Sequence, residues 1–216
     1  MVRPLPGLLL FAVVLVPAIA RGDRGALSVE ASPILTWWPS MPPALGSGSG
    51  VSGTAAGALV GVRYGLRNDL ELTASAFYEA PADYTHTGVT LDIEVGPLSG
   101  TLTSRASRWG ALIGARYVRG LVFRVHMGAE IGWTQQTITK LDLVNVSDPS
   151  NPHSYGLGLP DESQGAFVIA PLAGVEWQVT DRWSVSFTPR AVLSFGGVGR
   201  LAVHLPIAVG FSWYRW

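Results

Sequence analysis

The dominant pattern along the chain is an alternation of apolar residues with polar or small ones at every second position. Between Leu121 and Trp133 the odd positions are all apolar, whereas the even positions are Val, Arg, His, Gly, Glu and Gly. Successive side chains of a β-strand point to opposite faces, so this period of two predicts a strand with one apolar face. The same pattern recurs in seven further segments, at residues 28–38, 54–64, 70–78, 107–117, 167–177, 183–195 and 201–213.

The connections between these segments are alternately short and long. Short turns are predicted at residues 65–69, 118–120 and 180–182, and longer loops at residues 39–53, 79–106, 134–165 and 196–200. This layout predicts an all-β fold, an antiparallel up-and-down transmembrane β-barrel of about eight strands. The alternation within residues 89–104 predicts a hairpin that stands above the membrane and turns at residues 96–100. Counting this hairpin and residues 137–146 as spanning strands gives an alternative of about ten.

Composition favours lipid as the surroundings of this barrel. Charged residues make up 14% of the chain, against about 25% in average soluble proteins, and the mean hydropathy is +0.30. The 15 basic and 15 acidic residues balance, so the chain lacks the charge expected for binding nucleic acid. The count of 0 Cys excludes disulfides and thiolate metal sites. Outside the first residues no apolar helical span is predicted, and the other backbone solution in a bilayer is a closed barrel.

The first twenty residues have the pattern of a signal peptide. A basic start at Arg3 precedes an apolar run at residues 8–16, and Ala18 and Ala20 form a small-x-small cleavage pattern. An uncleaved membrane anchor is the alternative, but the run is well short of the ~20 residues that a spanning helix needs. We therefore expect residues 1–20 to direct export and residues 21–216 to form one barrel domain.

Charged residues decide which face of the strands points inward. Arginine and glutamate share the non-aliphatic parity at Arg63, Arg116, Arg124, Arg190, Glu30, Glu71, Glu130 and Glu176. One arginine on the lipid face at mid-bilayer costs about 2–4 kcal/mol, so we expect this parity to face the lumen. A soluble, lipocalin-like barrel would reverse the two faces. The same parity is rich in glycine, which suits the crowded interior of a narrow barrel.

Aromatic residues are predicted to form two rows around the barrel. The loop-side row comprises Trp37, Tyr78, Trp109, Trp133, Phe167 and Phe195. The turn-side row comprises Tyr64, Tyr117, Trp177, Trp183 and Trp213, with Trp216 at the end of the chain. Three strands join the two rows over spans of about 20–30 Å, at ~3.4 Å per residue and a tilt near 40°. These spans match the apolar band of ~25 Å between the aromatic girdles of outer-membrane barrels.

The last strand carries a further resemblance. Its alternating residues 201–213 and the terminal Trp216 resemble the signal that outer-membrane proteins present to the barrel assembly machinery. In that pattern the final residue shares the lipid face, whereas here Phe211 and Trp213 have the opposite parity; a bulge near Trp213 would reconcile the two. The chain is similar to the small outer-membrane β-barrel family that includes the OmpA membrane domain, OmpX and OmpW. The resemblance implies a bacterial outer membrane, with its lipid and lipopolysaccharide, as surroundings.

Inward charges and histidines form the candidate site. The predicted lumen charge network comprises Arg63, Glu71, Arg116, Arg124, His126, Glu130, Glu176, Arg190 and His204. Pairing Tyr64 with Leu70 would place Arg63 opposite Glu71. A structural plug is favoured over a solute path, because eight strands leave room only for side chains. The alternative is a narrow, OmpW-like pore for small solutes.

Surface interaction through the long loops is the leading functional hypothesis. Loops carried by rigid scaffolds concentrate functional residues, so residues 79–106 and 134–165 are the expected partner sites. Residues 146–164 contain acidic residues, but their spacing matches no EF-hand calcium loop, and a solvated loop is favoured. A lipid-modifying enzyme is the weakest alternative, because His126 lacks the His-x-Ser spacing of outer-membrane deacylases. We predict no catalytic residue, cofactor or metal site.

Overall fold

The computed structural model is an all-β molecule that describes residues 24–41, 49–93, 96–145, 153–156, 162–195 and 201–213. The strands are β1 (Leu27–Met41), β2 (Ser49–Arg67), β3 (Leu70–Ile93), β4 (Gly96–Gly120), β5 (Phe123–Asn145), β6 (His153–Gly156), β7 (Glu162–Gln178), β8 (Trp183–Phe187), β9 (Arg190–Phe195) and β10 (Leu201–Trp213). Within this part of the chain, no helix is long and apolar enough to cross a membrane. The predicted signal peptide and Trp216 lie outside the described residues.

The strands close into a ring of eight. Neighbours along the chain pair antiparallel, and β1 pairs with β10 to close the sheet. β8 and β9 are two halves of one strand that is interrupted at Thr188 and Pro189, and β6 is a four-residue strand added to the end of β5. The prediction of about eight strands is therefore confirmed. The alternative of ten is wrong, because residues 89–93, 96–104 and 137–145 continue the ladders of β3, β4 and β5.

Strands replace much of the predicted long loops. β3 runs to Ile93 and β4 begins at Gly96, and these two residues pair. The predicted turn at residues 96–100 is thus already strand. An antiparallel ladder gains a hydrogen bond at each step, and bulges near Ala82 and Val89 absorb irregular positions without ending it. The barrel wall therefore continues as a sheet beyond the loop-side aromatic row.

The short turns also differ from prediction in detail. The β4–β5 turn lies at Leu121 and Val122 rather than at residues 118–120. Gly120 is still paired, as the last ladder position of β4, and its φ of 114° starts the turn. A bulge before Arg67 shifts the β2–β3 register. Arg63 consequently pairs with Thr73, and the predicted Arg63–Glu71 cross-strand pair is wrong.

The two faces of the wall have opposite chemistry. The outward side chains are apolar and exposed, as at Ile113 (61%) and Ile207 (58%), whereas Arg63 on the other parity is 3% exposed. The predicted orientation is confirmed, and the reversed, lipocalin-like arrangement is excluded. Members of the loop-side row pair directly across strands, Tyr78 with Trp109 and Phe167 with both Trp133 and Phe195.

Four prolines lie on four neighbouring strands where the ladders that join these strands to one another are interrupted, and we call them the proline seam. They are Pro33 on β1, Pro206 on β10, Pro189 between β8 and β9, and Pro171 on β7. Proline has no backbone N–H to donate. The β1–β10 ladder skips the positions between Ala31 and Ile34, and both ladders of the interrupted strand skip those between Phe187 and Arg190. The hydroxyl of Ser32 donates to the Pro33 carbonyl at 2.7 Å, which partly replaces a lost donor.

Candidate functional site: the charged lumen

Glu176 of β7 is the centre of the charged cluster nearest the short turns. Its Oε2 lies 2.5 Å from Arg63 Nη1 and 3.0 Å from Arg116 Nη2, and its Oε1 lies 3.6 Å from Arg124 Nη1. The three arginines come from β2, β4 and β5, so this one carboxylate ties together four strands. All four residues are buried.

Two further glutamates complete this cluster. Arg116 Nε donates to Glu71 Oε2 at 2.7 Å, and Arg124 Nη2 donates to Glu71 Oε1 at 3.2 Å. Arg63 Nε lies 3.3 Å from Glu30 Oε2. Three guanidinium groups therefore face three carboxylates. This balance satisfies the rule that buried charges are paired.

A second group occupies the middle of the lumen. Arg190 Nη1 lies 3.4 Å from Glu130 Oε2, and Arg190 Nη2 lies 3.8 Å from Glu30 Oε1. Arg190 Nη1 also donates to the Ser75 hydroxyl at 3.3 Å. His126 Nε2 lies 2.9 Å from the Thr188 hydroxyl, at the proline seam. Arg190 thus links the middle of the lumen to the cluster around Glu176.

A third group, nearer the long loops, centres on Glu79, which belongs to a predicted loop but lies on β3 in the structure. Glu79 is fully buried and accepts hydrogen bonds from Arg108 Nη2 at 2.6 Å and from the Thr36 hydroxyl at 3.0 Å. His204 Nε2 lies 2.9 Å from Glu79 Oε1 and 3.0 Å from Arg108 Nη2. Parity alone identifies both missed residues, since Glu79 shares the face of Glu71 and Arg108 shares that of Arg116.

Aromatic rings enclose this third group. The Arg108 guanidinium carbon lies 4.5 Å from the centre of the Trp38 ring and 5.6 Å from that of Phe77. Tyr84 packs edge-on against Trp38, with ring centres 5.2 Å apart. Burial and, to a smaller degree, the Glu79 carboxylate raise the pKa of the Tyr84 phenol above its ordinary value. These contacts form an aromatic cap at the loop end of the lumen.

An apolar belt separates the third group from the cluster around Glu176. On β4, Leu112 lies between Arg116 and Arg108, and on β3, Phe77 lies between Glu71 and Glu79. Together with these two, the belt comprises Ile34, Leu59, Val168 and Val192. All six side chains are at most 4% exposed. Along the lumen, the cluster around Glu176 is followed by the second charged group, then by the apolar belt and then by the third charged group.

The structure thus brings the predicted network into three groups instead of one. Arg63, Glu71, Arg116, Arg124 and Glu176 meet in the first. Glu130 and Arg190 meet in the second, His126 contacts Thr188, and His204 belongs to the third. In the described part of the chain, no three His, Asp or Glu side chains are placed to hold a metal ion. Most of the acidic loop at residues 146–164 lies outside the described residues.

These features define a class of protein: a closed, eight-stranded barrel with an apolar exterior and a salt-bridged lumen, which is the architecture of small transmembrane β-barrels. Solved structures agree. OprG of Pseudomonas aeruginosa is similar over 91% of this chain and 100% of its own, with 10% identity and a TM-score of 0.58. Neisserial surface protein A is similar over 89% and 100%, with 14% identity and a TM-score of 0.55.

Ail, the attachment invasion locus protein of Yersinia pestis, is similar over 88% of this chain and 99% of its own, with 11% identity and a TM-score of 0.52. No protein-family model matches the sequence. No curated protein matches it significantly. The likeness is therefore one of fold, and the chain has the fold of small outer-membrane β-barrel proteins.

Proposed function

We propose that this chain is an integral protein of the bacterial outer membrane, with a closed lumen and a role at the cell surface. Residues 1–20 direct its export, and the terminal strand β10 engages the barrel assembly machinery. Lipid and lipopolysaccharide surround the apolar band. The protein acts as a structural or surface-interaction element and has no catalytic role.

The proposal that the lumen is closed rests on the pairing of its buried arginines. Each buried arginine among the described residues has a nitrogen atom 3.4 Å or less from a glutamate oxygen, and these residues are Arg63, Arg108, Arg116, Arg124 and Arg190. A conducting path would need water around these groups, whereas the apolar belt is buried across the lumen. The charges therefore support a plug that holds the strands in register.

The sheet beyond the loop-side row supports a role at the surface. β3, β4 and β5 carry paired backbone from Tyr78 to Ile93 and from Gly96 to Trp109, which is about 45–50 Å of strand on each arm of the hairpin at ~3.4 Å per residue. Among the fold relatives, Ail has been crystallised with the heparin analogue sucrose octasulfate (11% identity, TM-score 0.50). A sulfated glycan is accordingly the first ligand class to test on this extension.

The conductance of the refolded protein in a planar bilayer tests the closed lumen. We expect no discrete current steps from protein shown by circular dichroism to be folded. Reproducible, solute-selective steps would instead support the second candidate, a narrow pore for small solutes. Glu176→Ala separates the two, since a plug should lose stability whereas a pore should change its selectivity.

A hairpin truncation tests the surface role. Tyr84 pairs with Ser104, so residues 85–103 can be replaced by Asn-Gly, a two-residue hairpin turn, without moving the aromatic cap. We expect the truncated barrel to fold and to lose retention on immobilised heparin that the full chain shows. Equal retention of both proteins would place any binding elsewhere, and retention of neither would exclude this ligand class.

A further inference from the structure

The β4–β5 turn differs in chemistry from the other short turns. The β2–β3 turn contains Asn68 and Asp69, and the β7–β8 turn contains Asp181. In contrast, the β4–β5 turn consists of Leu121 and Val122, which are 55% and 61% exposed. Hairpin turns are normally built from Gly, Asn and Asp. An apolar tip at this position therefore requires an explanation outside turn geometry.

The apolar tip continues the outward face of the barrel. Phe123, which is 60% exposed, pairs with Trp177 on β7. The backbone N–H of Gln178 donates to the backbone carbonyl of Val122 at 2.8 Å, so β7 holds the turn in place. We call Leu121, Val122, Phe123 and Trp177 the apolar foot. It is continuous with the exposed apolar side chains of β5 above it.

Arg119, the cation that precedes the turn on β4, contacts Tyr117 and not the foot. Arg119 Nε donates to the Tyr117 hydroxyl at 2.6 Å, and its guanidinium carbon lies 5.3 Å from the centre of the Tyr117 ring. Tyr117 belongs to the turn-side row. The charge of Arg119 is thus held back at the level of that row, and the tip beyond it has no charged side chain.

We propose that the apolar foot inserts into the headgroup layer of the inner leaflet and anchors this side of the barrel there. The proposal rests on the proposed outer-membrane location. β4 continues from Tyr117 to Gly120, which is about 10 Å of strand. A headgroup layer adds roughly 5–8 Å to each side of the ~30 Å hydrocarbon core, so a tilted strand of this length ends within it.

Two features of the foot indicate lipid as its partner: its surface is continuous with the lipid-facing wall, and its chemistry is apolar. The foot extends a face that already meets lipid. Beside the foot, Arg119 lies over the ring of Tyr117, an aromatic–cation pair typical of the membrane interface. The turns that contain Asn68 and Asp181 have polar side chains and project into water. The barrel therefore sits with its β4–β5 corner deeper in the inner leaflet than its other two short turns.

Single-cysteine labelling tests this inference directly, since the chain has 0 Cys. Val122→Cys, Asn68→Cys, Asp181→Cys and Ile113→Cys are each labelled with a polarity-sensitive fluorophore. The folded variants are placed in vesicles of phosphatidylethanolamine and phosphatidylglycerol. Quenching is measured with aqueous iodide and with lipids that carry a nitroxide at the headgroup. Ile113 is the lipid-face control, and Asn68 and Asp181 are matched turn controls.

We expect the Val122 label to emit at shorter wavelength than the two turn controls, to resist iodide and to be quenched by the headgroup nitroxide. If iodide quenches the Val122 label as strongly as the Asn68 label, the inference is wrong, and a periplasmic protein becomes the expected partner of the foot. If the Ile113 label is also in water, the proposed membrane location fails instead, so the two failures are distinguishable.

Discussion

Replacing Glu176 by glutamine should destabilise the barrel more than any other single carboxylate change near the short turns. Glu176 is the only glutamate in the described part of the chain that contacts three arginines, Arg63, Arg116 and Arg124. Two unit charges 4 Å apart interact with about 4 kcal/mol at an effective dielectric constant of about 20. Desolvation offsets much of this gain, and breaking a buried pair by removing one partner costs about 3–5 kcal/mol.

The charge balance explains why the cost should be large. After Glu176→Gln, three arginines share Glu30 and Glu71, and the amide can accept only one or two of the lost hydrogen bonds. The measurement is equilibrium urea unfolding of the protein in vesicles. The dependence of the unfolding free energy on urea concentration should be the same in wild type and variant, which verifies that both unfold in the same transition. Asp181→Asn, in the exposed β7–β8 turn, is the matched control and should change the free energy of unfolding by less than about 0.5 kcal/mol.

A second substitution tests whether charge is the cause. After Glu176→Gln the cluster has three arginines and two glutamates, so Arg124→Met in that background removes the one excess cation, and the double variant should regain part of the lost stability. A Glu176→Gln loss below about 1 kcal/mol would refute the reasoning. So would a double variant whose losses simply add, because the cluster would then not act as a charge-balanced unit.

Three further predictions concern other parts of the molecule. Ile113→Arg, on the lipid face, should cost about 2–4 kcal/mol in urea unfolding, whereas Thr139→Arg, beyond the loop-side row, should cost less than about 1 kcal/mol; equal costs would contradict the assigned membrane band. In hydrogen exchange followed by mass spectrometry, amides beside Pro206 at the proline seam should exchange faster than amides around Ile113, and equal protection would show that the seam is closed. His126→Ala should leave lipid A unmodified, as the wild type does, while the Thr188 hydroxyl loses its partner and stability falls by about 1–3 kcal/mol; a lipid A product made only by the wild type would support the enzyme hypothesis instead.

The strands, their two faces and the aromatic rows could be predicted from local pattern. Alternation is a property of one strand, and the high cost of an arginine in lipid fixes which parity faces inward. The same parity rule finds Glu79 when it is extended past Tyr78, and it finds Arg108 within the strand predicted at residues 107–117. Glu79 is absent from the predicted network because the predicted strand ends at Tyr78 and the following residues are assigned to a loop, whereas Arg108 is absent although it lies within a predicted strand.

The pairing of charged residues across the lumen could be identified only from the three-dimensional structure. Arg63 is expected opposite Glu71, yet a bulge before Arg67 changes the register, and Arg63 instead contacts Glu30 and Glu176. Glu176 is 113 residues away from Arg63 in sequence. No local pattern encodes such a contact, because it depends on how the closed ring orients strands that are not neighbours.

Residue order was thus enough to establish an apolar-walled barrel with a charged interior. How far the strands extend, where the wall is interrupted and how the interior charges divide into three groups became clear only from the folded chain. The physical reason is that side-chain direction repeats every two residues within a strand. Register, bulges and closure depend instead on the summed pairing of all eight strands, and a shift of one residue in any ladder moves every contact that follows.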